Sequence, residues 1–386
     1  MGWSLVLLSG NSGLPAAWTE QSDLTSAASK KISVYLNQPH EISFTMPGEH
    51  PEAVLVEELV SDVVARYDAG DGLGAQREVR CRVGPSSDSA DGTSISSTFR
   101  ALSYKEMISR WYVDTDRQYE ASFTGSRGIE GISWQLLTQF MVRSSGGFSI
   151  SRGTAGAGTA AVTTNPLIKV DKGSVVSESI DKLFEDTLYW WDITPDMVFQ
   201  TYQRGFRRRF LLDYGGSVAS FQRTVDPSTY ANAVRLIGGT PASPPGGYVI
   251  PDASATTNEV LTGAAVQGRW ERYIYDSEEF SQSRAQSRAD ALMKSGQVIT
   301  PTYTMTLKPG MWGGPDDLWI GDVTPVRIQL GRLSVDTELV VSSMVFDVGD
   351  DGDETVTVTC DGLSTNDTYF QKQRAQLADI RRLERR

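Results

Sequence analysis

Short runs of alternating apolar and polar residues, each cut off by a turn-forming pair, recur along this chain and constrain its fold more than any other feature. Ile32–Leu36, Glu41–Met46, Val60–Tyr67, Glu78–Val83 and Ser94–Leu102 carry the two-residue period of half-buried strands. Gln38-Pro39-His40 and Pro47-Gly48 interrupt them, because proline lacks the N–H a ladder needs and glycine accepts backbone angles that other residues avoid. The polar stretch Gly84–Thr93, with its Asp91-Gly92 turn pair, predicts a hairpin between Glu78–Val83 and Ser94–Leu102. Trp3–Leu8 is apolar but lacks a basic flank and falls far short of the ~20 residues of a membrane helix, so it too reads as a strand. A first β-barrel over 1–112 is the expectation.

The texture then changes. Over 113–218, Ile132, Leu136, Leu137 and Phe140 within Gly131–Val142, and Val176, Ile180, Leu183 and Phe184 within Val175–Leu188, stand at helical spacing and predict two helices on a small sheet. Ser144–Thr164 between them, rich in Gly, Ser, Thr and Ala, reads as a loop. Strand patterning returns in Val218–Arg223 and Asn232–Gly238. An insert over 239–300 follows, opened by Pro244-Pro245-Gly246-Gly247 and containing a predicted helix, Ser281–Lys294. Tyr303–Leu307, Val323–Gln329, Leu339–Phe346 and Thr355–Cys360 resume the alternation, so a second barrel is expected from 219–238 and 301–362. The fold class is therefore mainly β with α+β inserts. Pro47-Gly48 and Pro309-Gly310 each end a strand, and Asp-Gly pairs follow them 44 and 42 residues later, an internal echo between the two barrels.

A chain of 386 residues exceeds what one core usually supports, and 39% hydrophobic content is that of a folded protein. The formal net charge of −12 has the wrong sign for gripping phosphates, so specific nucleic-acid binding is not expected; an acidic wall would let DNA slide past. No stretch predicts stable membrane insertion. Cys81 and Cys360 cannot make a disulfide framework and read as passive strand residues.

Candidate chemistry is sparse. The only histidines, His40 and His50, sit around proline turns and read as exposed turn residues, which leaves a Ser-His-Asp triad or an HExxH zinc site without imidazoles. No cofactor or metal is called for. Asp347–Glu354 bunches carboxylates, but Gly349 and Val358 stand where a calcium loop needs ligands, so a solvated hairpin turn is expected. Two acids at glycosidase spacing could be drawn from many candidates, and nothing singles out a pair. Arg204, Arg207, Arg208 and Arg209, interleaved with Phe206 and Phe210, form the one internal basic cluster; on an acidic chain this points to an oligomer or partner contact. The segment 363–386 predicts a terminal helix, capped around Thr365 and basic through Lys372, Arg374, Arg381, Arg382, Arg385 and Arg386. Phe370 and Leu377 are its candidate contact residues.

Several motifs resemble one family, the baseplate-hub type of minor tail protein from siphophages of actinobacteria. They are Arg80-Cys81-Arg82-Val83-Gly84-Pro85-Ser86-Ser87-Asp88, Phe99-Arg100-Ala101-Leu102-Ser103-Tyr104, Asp226-Pro227-Ser228-Thr229-Tyr230-Ala231-Asn232-Ala233-Val234, Gly268-Arg269-Trp270-Glu271, Pro309–Trp319 and Gly331-Arg332-Leu333. The resemblance implies two hub-type barrels per chain with smaller domains between, the insert packing on 113–218. It also implies a homotrimeric ring with six near-equivalent surfaces at the end of the tail tube. The implied partners are a distal tail protein ring or tail tube, the tape measure protein, and receptor-binding or fibre proteins. The implied location is the virion tail tip, assembled in the host cytoplasm, and the expected role is structural, not enzymatic. A carbohydrate-binding adhesin and a cell-wall glycan hydrolase remain the alternatives.

Overall fold

In a computed structural model of the chain, the described residues are 2–9, 18–68, 77–91, 94–120, 128–143, 149–153, 167–184, 189–203, 211–225, 230–240, 246–247, 249–256, 270–276, 282–296, 301–308, 318–331 and 333–362. The alternating segments of the first part become β1 (Gly2–Ser9), β2 (Thr19–Asp23), β3 (Ala28–Tyr35), β4 (Glu41–Pro47), β5 (Asp62–Asp68), β6 (Arg77–Val83), β7 (Ser87–Asp91) and β8 (Ser94–Leu102). Two short helices join them, α1 (Pro51–Leu55) after β4 and α2 (Tyr104–Ile108) after β8. A mixed module follows: β9 (Arg117–Glu120), α3 (Gly128–Arg143), β10 (Ser151–Arg152), β11 (Leu167–Val170), α4 (Val176–Phe184), β12 (Tyr189–Ile193) and β13 (Val198–Gln203). Then come β14 (Leu212–Asp213), β15 (Val218–Thr224), β16 (Ala233–Gly238), β17 (Asp252–Thr256), β18 (Glu271–Asp276) and α5 (Gln282–Gly296). The last described strands are β19 (Thr302–Leu307), β20 (Val323–Leu330), β21 (Leu333–Val348) and β22 (Glu354–Gly362).

The fold is mainly β with mixed inserts, as its patterning predicts. Strands from both ends of the sequence form one 14-stranded sheet in the order β15-β19-β22-β21-β3-β4-β8-β6-β5-β1-β2, with β14 and β20 on the β21 side and β7 on β8. The pivot is β21. Its Leu333–Val340 half pairs β20, and its Ser343–Val348 half pairs Lys30–Tyr35 of β3. Alternate residues on these strands face one continuous core: Ile42, Phe44 and Met46 on β4, Val79, Cys81 and Val83 on β6, Val356, Val358 and Cys360 on β22. Each such aliphatic or aromatic side chain stabilises by roughly 1.5–3 kcal/mol on burial.

Two differences from the sequence reading have physical causes. The hairpin partner of β8 is mainly β7, paired from Ser87↔Thr98 to Asp91↔Ser94, whereas β6 meets β8 only at Arg82↔Leu102 and Val83↔Ala101. Every residue of β7 is exposed, so it carries no apolar alternation by which to be read. Next, β16 does not join the main sheet; it lies between β17 and β18 and packs Val234 and Leu236 with Ala253, Ala255, Ala285 and Ala289 against α5. Its apolar face is satisfied by the insert's own helix, and Arg223–Thr302 forms a compact unit separate from Met1–Gln222 with Tyr303–Asp361. The described part of α4 runs to Phe184, and 185–188 of the expected helix lie outside the described residues.

The basic cluster Arg204, Arg207, Arg208 and Arg209, most of Ser144–Thr164, and the terminal segment with Phe370 and Leu377 lie outside the described residues. The turn within Asp347–Glu354 links β21 to β22: Gly349 N donates to the Asp353 carbonyl (2.9 Å) and Gly352 adopts φ 85°. Asp350 Oδ1 accepts from the Ser29 amide (2.8 Å), tying this turn to a bulge in β3 where Ser29 itself has φ 47°.

Candidate functional site

The strongest concentration of buried charge lies where the main sheet meets the mixed module, both within the larger unit. Two arginines of β6, Arg80 and Arg82, share a face because a strand repeats every second residue, while Cys81 between them points into the core. Antiparallel pairing sets Asp62 of β5 opposite Arg82. Asp62 is fully buried, and its carboxylate accepts from Arg80 Nε (2.8 Å), Arg82 Nε and the Tyr104 hydroxyl. Arg80 Nη1 reaches the Pro195 carbonyl of the module (3.0 Å), and Arg82 Nη1 the Leu59 carbonyl (3.1 Å). Burial, and then the Asp62 carboxylate, hold the Tyr104 phenol well above its usual range, so it stays a neutral donor. For Arg82, burial works against the charge, but the carboxylate outweighs it and the net shift is upward.

A second set of polar contacts lies beside the first. His40, far from being an exposed turn residue, is buried at the β3–β4 connection. Its Nδ1 accepts from the Tyr35 amide (3.2 Å), which leaves the proton on Nε2 to donate to Asp192 of β12 at 2.7 Å. Ser103 Oγ accepts from the His40 amide (2.9 Å), and the Ser103 amide donates to the His40 carbonyl (2.9 Å), which fixes the connection against the start of α2. Asp62, Asp192, Arg80 and Arg82 carry charges that sum to zero, as burial requires. His50, the other histidine, instead caps α1, its Nδ1 accepting from the Glu52 amide at 3.3 Å.

Adjacent tryptophans complete the joint. Successive residues of a strand face opposite ways, so Trp190 enters the core of the main sheet and Trp191 the core of the module. The Trp191 indole donates to Asp181 (2.8 Å), and buried Lys105 pairs with the same carboxylate (3.0 Å) while lying 4.3 Å over the Trp191 ring. Gly321 backs Trp190: it has φ 83°, and a Cβ there would come within 2.9 Å of the indole nitrogen. These arrangements hold two bodies in a fixed relation. The Asp62, Asp181 and Asp192 carboxylates and the His40 imidazole are all engaged with protein groups.

A groove lies elsewhere, against α1, β7 and β8. It measures about 520 Å³ and is lined by Gly48, Val54, Val56, Asp88, Ile95 and Phe99 among others. Among the described residues lining it Asp88 is the one carboxylate, and it accepts from Ser97 Oγ at 2.7 Å, so these residues do not bring together the two facing acids a glycosidase requires. Among the described residues no group of three or more histidine, cysteine or acidic side chains is gathered as for a metal. Both cysteines are buried, and burial raises each thiol above its ordinary value.

Sequence reasoning quoted Arg80-Cys81-Arg82 only as a resemblance motif and missed its role. The available signal was Asp62 in a strand otherwise reading Val-Val-Ala, at a register that could face two arginines. The Tyr104 and Pro195 partners could not have been read, since they depend on how the module docks.

Known proteins agree with this description at the level of fold. No family model matches the chain, and no curated relative matches it. Solved structures do. The 43 kDa tail protein of prophage MuSo2 from Shewanella oneidensis superposes with a TM-score of 0.59 at 14% identity, covering 92% of this chain and 98% of that one. A tail protein from Neisseria meningitidis gives 0.57 at 10% identity over 94% and 97% of the two chains. The prophage tail protein gp18 from Listeria monocytogenes gives 0.53 at 14% identity over 97% and 99%. The chain therefore has the fold of phage tail proteins along nearly its whole length.

Proposed function

We propose that this protein is the structural hub of a phage tail tip, acting without catalysis and without a cofactor. The observation that carries the reading is the near end-to-end coincidence with whole tail proteins, 97% of this chain against 99% of the Listeria protein. A fold shared in part would fit an appended enzyme or binding module; a fold shared throughout fits a chain whose architecture is its function. The finer reading is a homotrimer in a siphophage virion, closing the distal end of the tail tube. Each copy contributes two barrel-like halves, so three copies present six similar surfaces to a sixfold tube. The net charge of −12 suits a wall past which DNA must slide without adhering. Above it would lie the distal tail ring and the tape measure protein, and below it receptor-binding or fibre proteins.

Electron cryomicroscopy of the intact virion, with native mass spectrometry of the purified chain, tests this. Three copies encircling the tail axis below the tube are expected. A peripheral position, or a single copy in solution and in the virion, would sink it. One observation favours a glycan-binding adhesin as the second reading: Tyr273 and Tyr275 stand side by side on β18, 61% and 65% exposed. Titration with cell-wall polysaccharide decides it, since binding abolished by Tyr273→Ala with Tyr275→Ala would establish a receptor-binding role.

A further inference from the structure

We infer that the open face of the β17-β16-β18 sheet binds an uncharged glycan, seating successive sugar rings on Tyr273 and Tyr275. This deepens the glycan-binding reading above and rests on it. Alternation along the three strands divides their side chains between two faces. Val234 and Leu236 of β16, Ala253 and Ala255 of β17 and Ile274 of β18 pack with the alanines of α5. The residues between them point the other way. Register sets these in two rows across the sheet: Ser254, Arg235 and Tyr273, and beside it Asp252, Ile237 and Tyr275. Both tyrosines are more than half exposed, and Ser254 is exposed with them.

The two rings stand two residues apart on one strand, about 6.6 Å. The π face of each carries negative charge density and attracts the C–H bonds that cover one side of a sugar ring. Across the sheet from them, Arg235 and Asp252 form a bidentate pair, Nε to Oδ1 at 3.1 Å and Nη2 to Oδ2 at 2.8 Å, with side chains 49% and 48% exposed. The guanidinium has further hydrogens to donate and the carboxylate further lone pairs to accept with, and a sugar hydroxyl can answer either. Helix α5 fixes this pair from the outer edge of β17. Gln282 Nε2 donates to the Asp252 carbonyl (2.9 Å) while its Oε1 accepts from the Asp252 amide (3.0 Å), and Gln286 Nε2 donates to the Ser254 carbonyl (3.0 Å). Groups held in place before binding lose less freedom when a ligand arrives.

The same pair argues against other occupants. A protein covering this face would strip water from both charges, and the cores of protein interfaces are depleted of charge for that reason. A phosphate-bearing polymer would meet Asp252 on the face and Glu271 one row further along β18. An uncharged glycan lays its apolar side on the rings and keeps Arg235 and Asp252 hydrogen-bonded through its hydroxyls.

Calorimetric titration of the full-length chain with dextran, mannan and galactan, and with polygalacturonate as the charged counterpart, tests the site. At least one of the three uncharged polymers should bind, and polygalacturonate should not. Tyr273→Ala with Tyr275→Ala should weaken binding by about tenfold or more, whereas Tyr273→Phe with Tyr275→Phe, which keeps the rings, should leave it within about threefold. Arg235→Gln should weaken it by about fivefold through lost hydrogen bonds. An unchanged melting temperature of the alanine variant shows that its loss of binding is not a loss of fold. Equal affinity of the alanine variant and the parent chain, or a preference for polygalacturonate, overturns this site and leaves glycan binding elsewhere on the chain standing. Binding of none of the four polymers removes both. The hub reading is judged separately, by position in the virion.

Discussion

Replacing Asp62 by asparagine should destabilise the larger unit far more than its small change in shape would suggest. The carboxylate has no solvent exposure and is the shared counter-ion of Arg80 and Arg82, whose side chains are 6% and 14% exposed. Asparagine keeps one acceptor but turns an amide donor toward guanidinium groups that only donate. Breaking a buried pair by removing one partner costs about 3–5 kcal/mol. The arginines keep the Pro195 and Leu59 carbonyls, which limits the loss to that range instead of doubling it. A change of this size lowers the melting temperature by on the order of 10 °C in a body this large. Glu78→Gln is the internal control, because its bridge to Arg66 (2.8 Å) lies on the same pair of strands but is 36% exposed on the acid side. That substitution should cost less than ~1 kcal/mol. Differential scanning calorimetry on both variants measures the contrast at pH 7 and again at pH 9. The penalty should be the same at both, since Tyr104 remains protonated well above its usual range. Equal melting temperatures for the two variants would refute the view that this network holds the sheet to the module.

Trp191→Ala should cost about 3–5 kcal/mol, because it empties the space of a buried indole and leaves Asp181 and Lys105 without their shared ring; the urea midpoint measures it. Gly321→Ala should cost roughly 1–3 kcal/mol, from a positive φ and a Cβ driven against Trp190, and tryptophan fluorescence should report the displaced ring. For Glu52, burial alone would raise the carboxyl's pKa, but hydrogen bonds from the Ser26 amide and hydroxyl and from Thr25 outweigh it, leaving the net value lowered. A depressed folded value means stability that is present above the ordinary carboxylate range and lost as pH falls through the folded pKa. The protection factor of the Ser26 amide, its exchange rate relative to the intrinsic rate at each pH, should therefore fall in acid, and Glu52→Gln should remove that pH dependence.

Where a strand has one buried face, its residues declared it: β4, β6, β19 and β22 lie where alternation puts them, because a one-residue slip would turn every apolar side chain to water. The elements that went unread are those without that signal. β7 has no buried residue, β2 has none either, and α1 and α2 are too short for a helical period to show. β16 displays a different limit. Its buried Ala-Val-x-Leu pattern announces a strand, yet nothing in the strand itself says which sheet will bury it; that was decided by the small alanine face of α5. The joint was half legible for the same reason. Arg80, Arg82 and Asp62 are neighbours through local strand pairing, whereas His40 and Asp192 are 152 residues apart and meet only when the module docks.

The shared strand β21 gives this distribution of information a mechanical meaning. Two halves of the main sheet, drawn from opposite ends of the chain, could swing if only a loose linker connected them. Here the halves are joined instead by six register pairs between β21 and β3, by the Ser29–Asp350 bond at one end and by a single core beneath. The module is fixed to the same sheet by Trp190 and by the Asp62 network. Rigidity is thereby placed inside the subunit, where burial makes it strong. Adaptability is left to exposed features such as the groove against α1, β7 and β8 and the tyrosine face of β18. On the hub reading this is the division of labour a tail tip requires, because the tube above offers fixed geometry while the proteins below differ with the host.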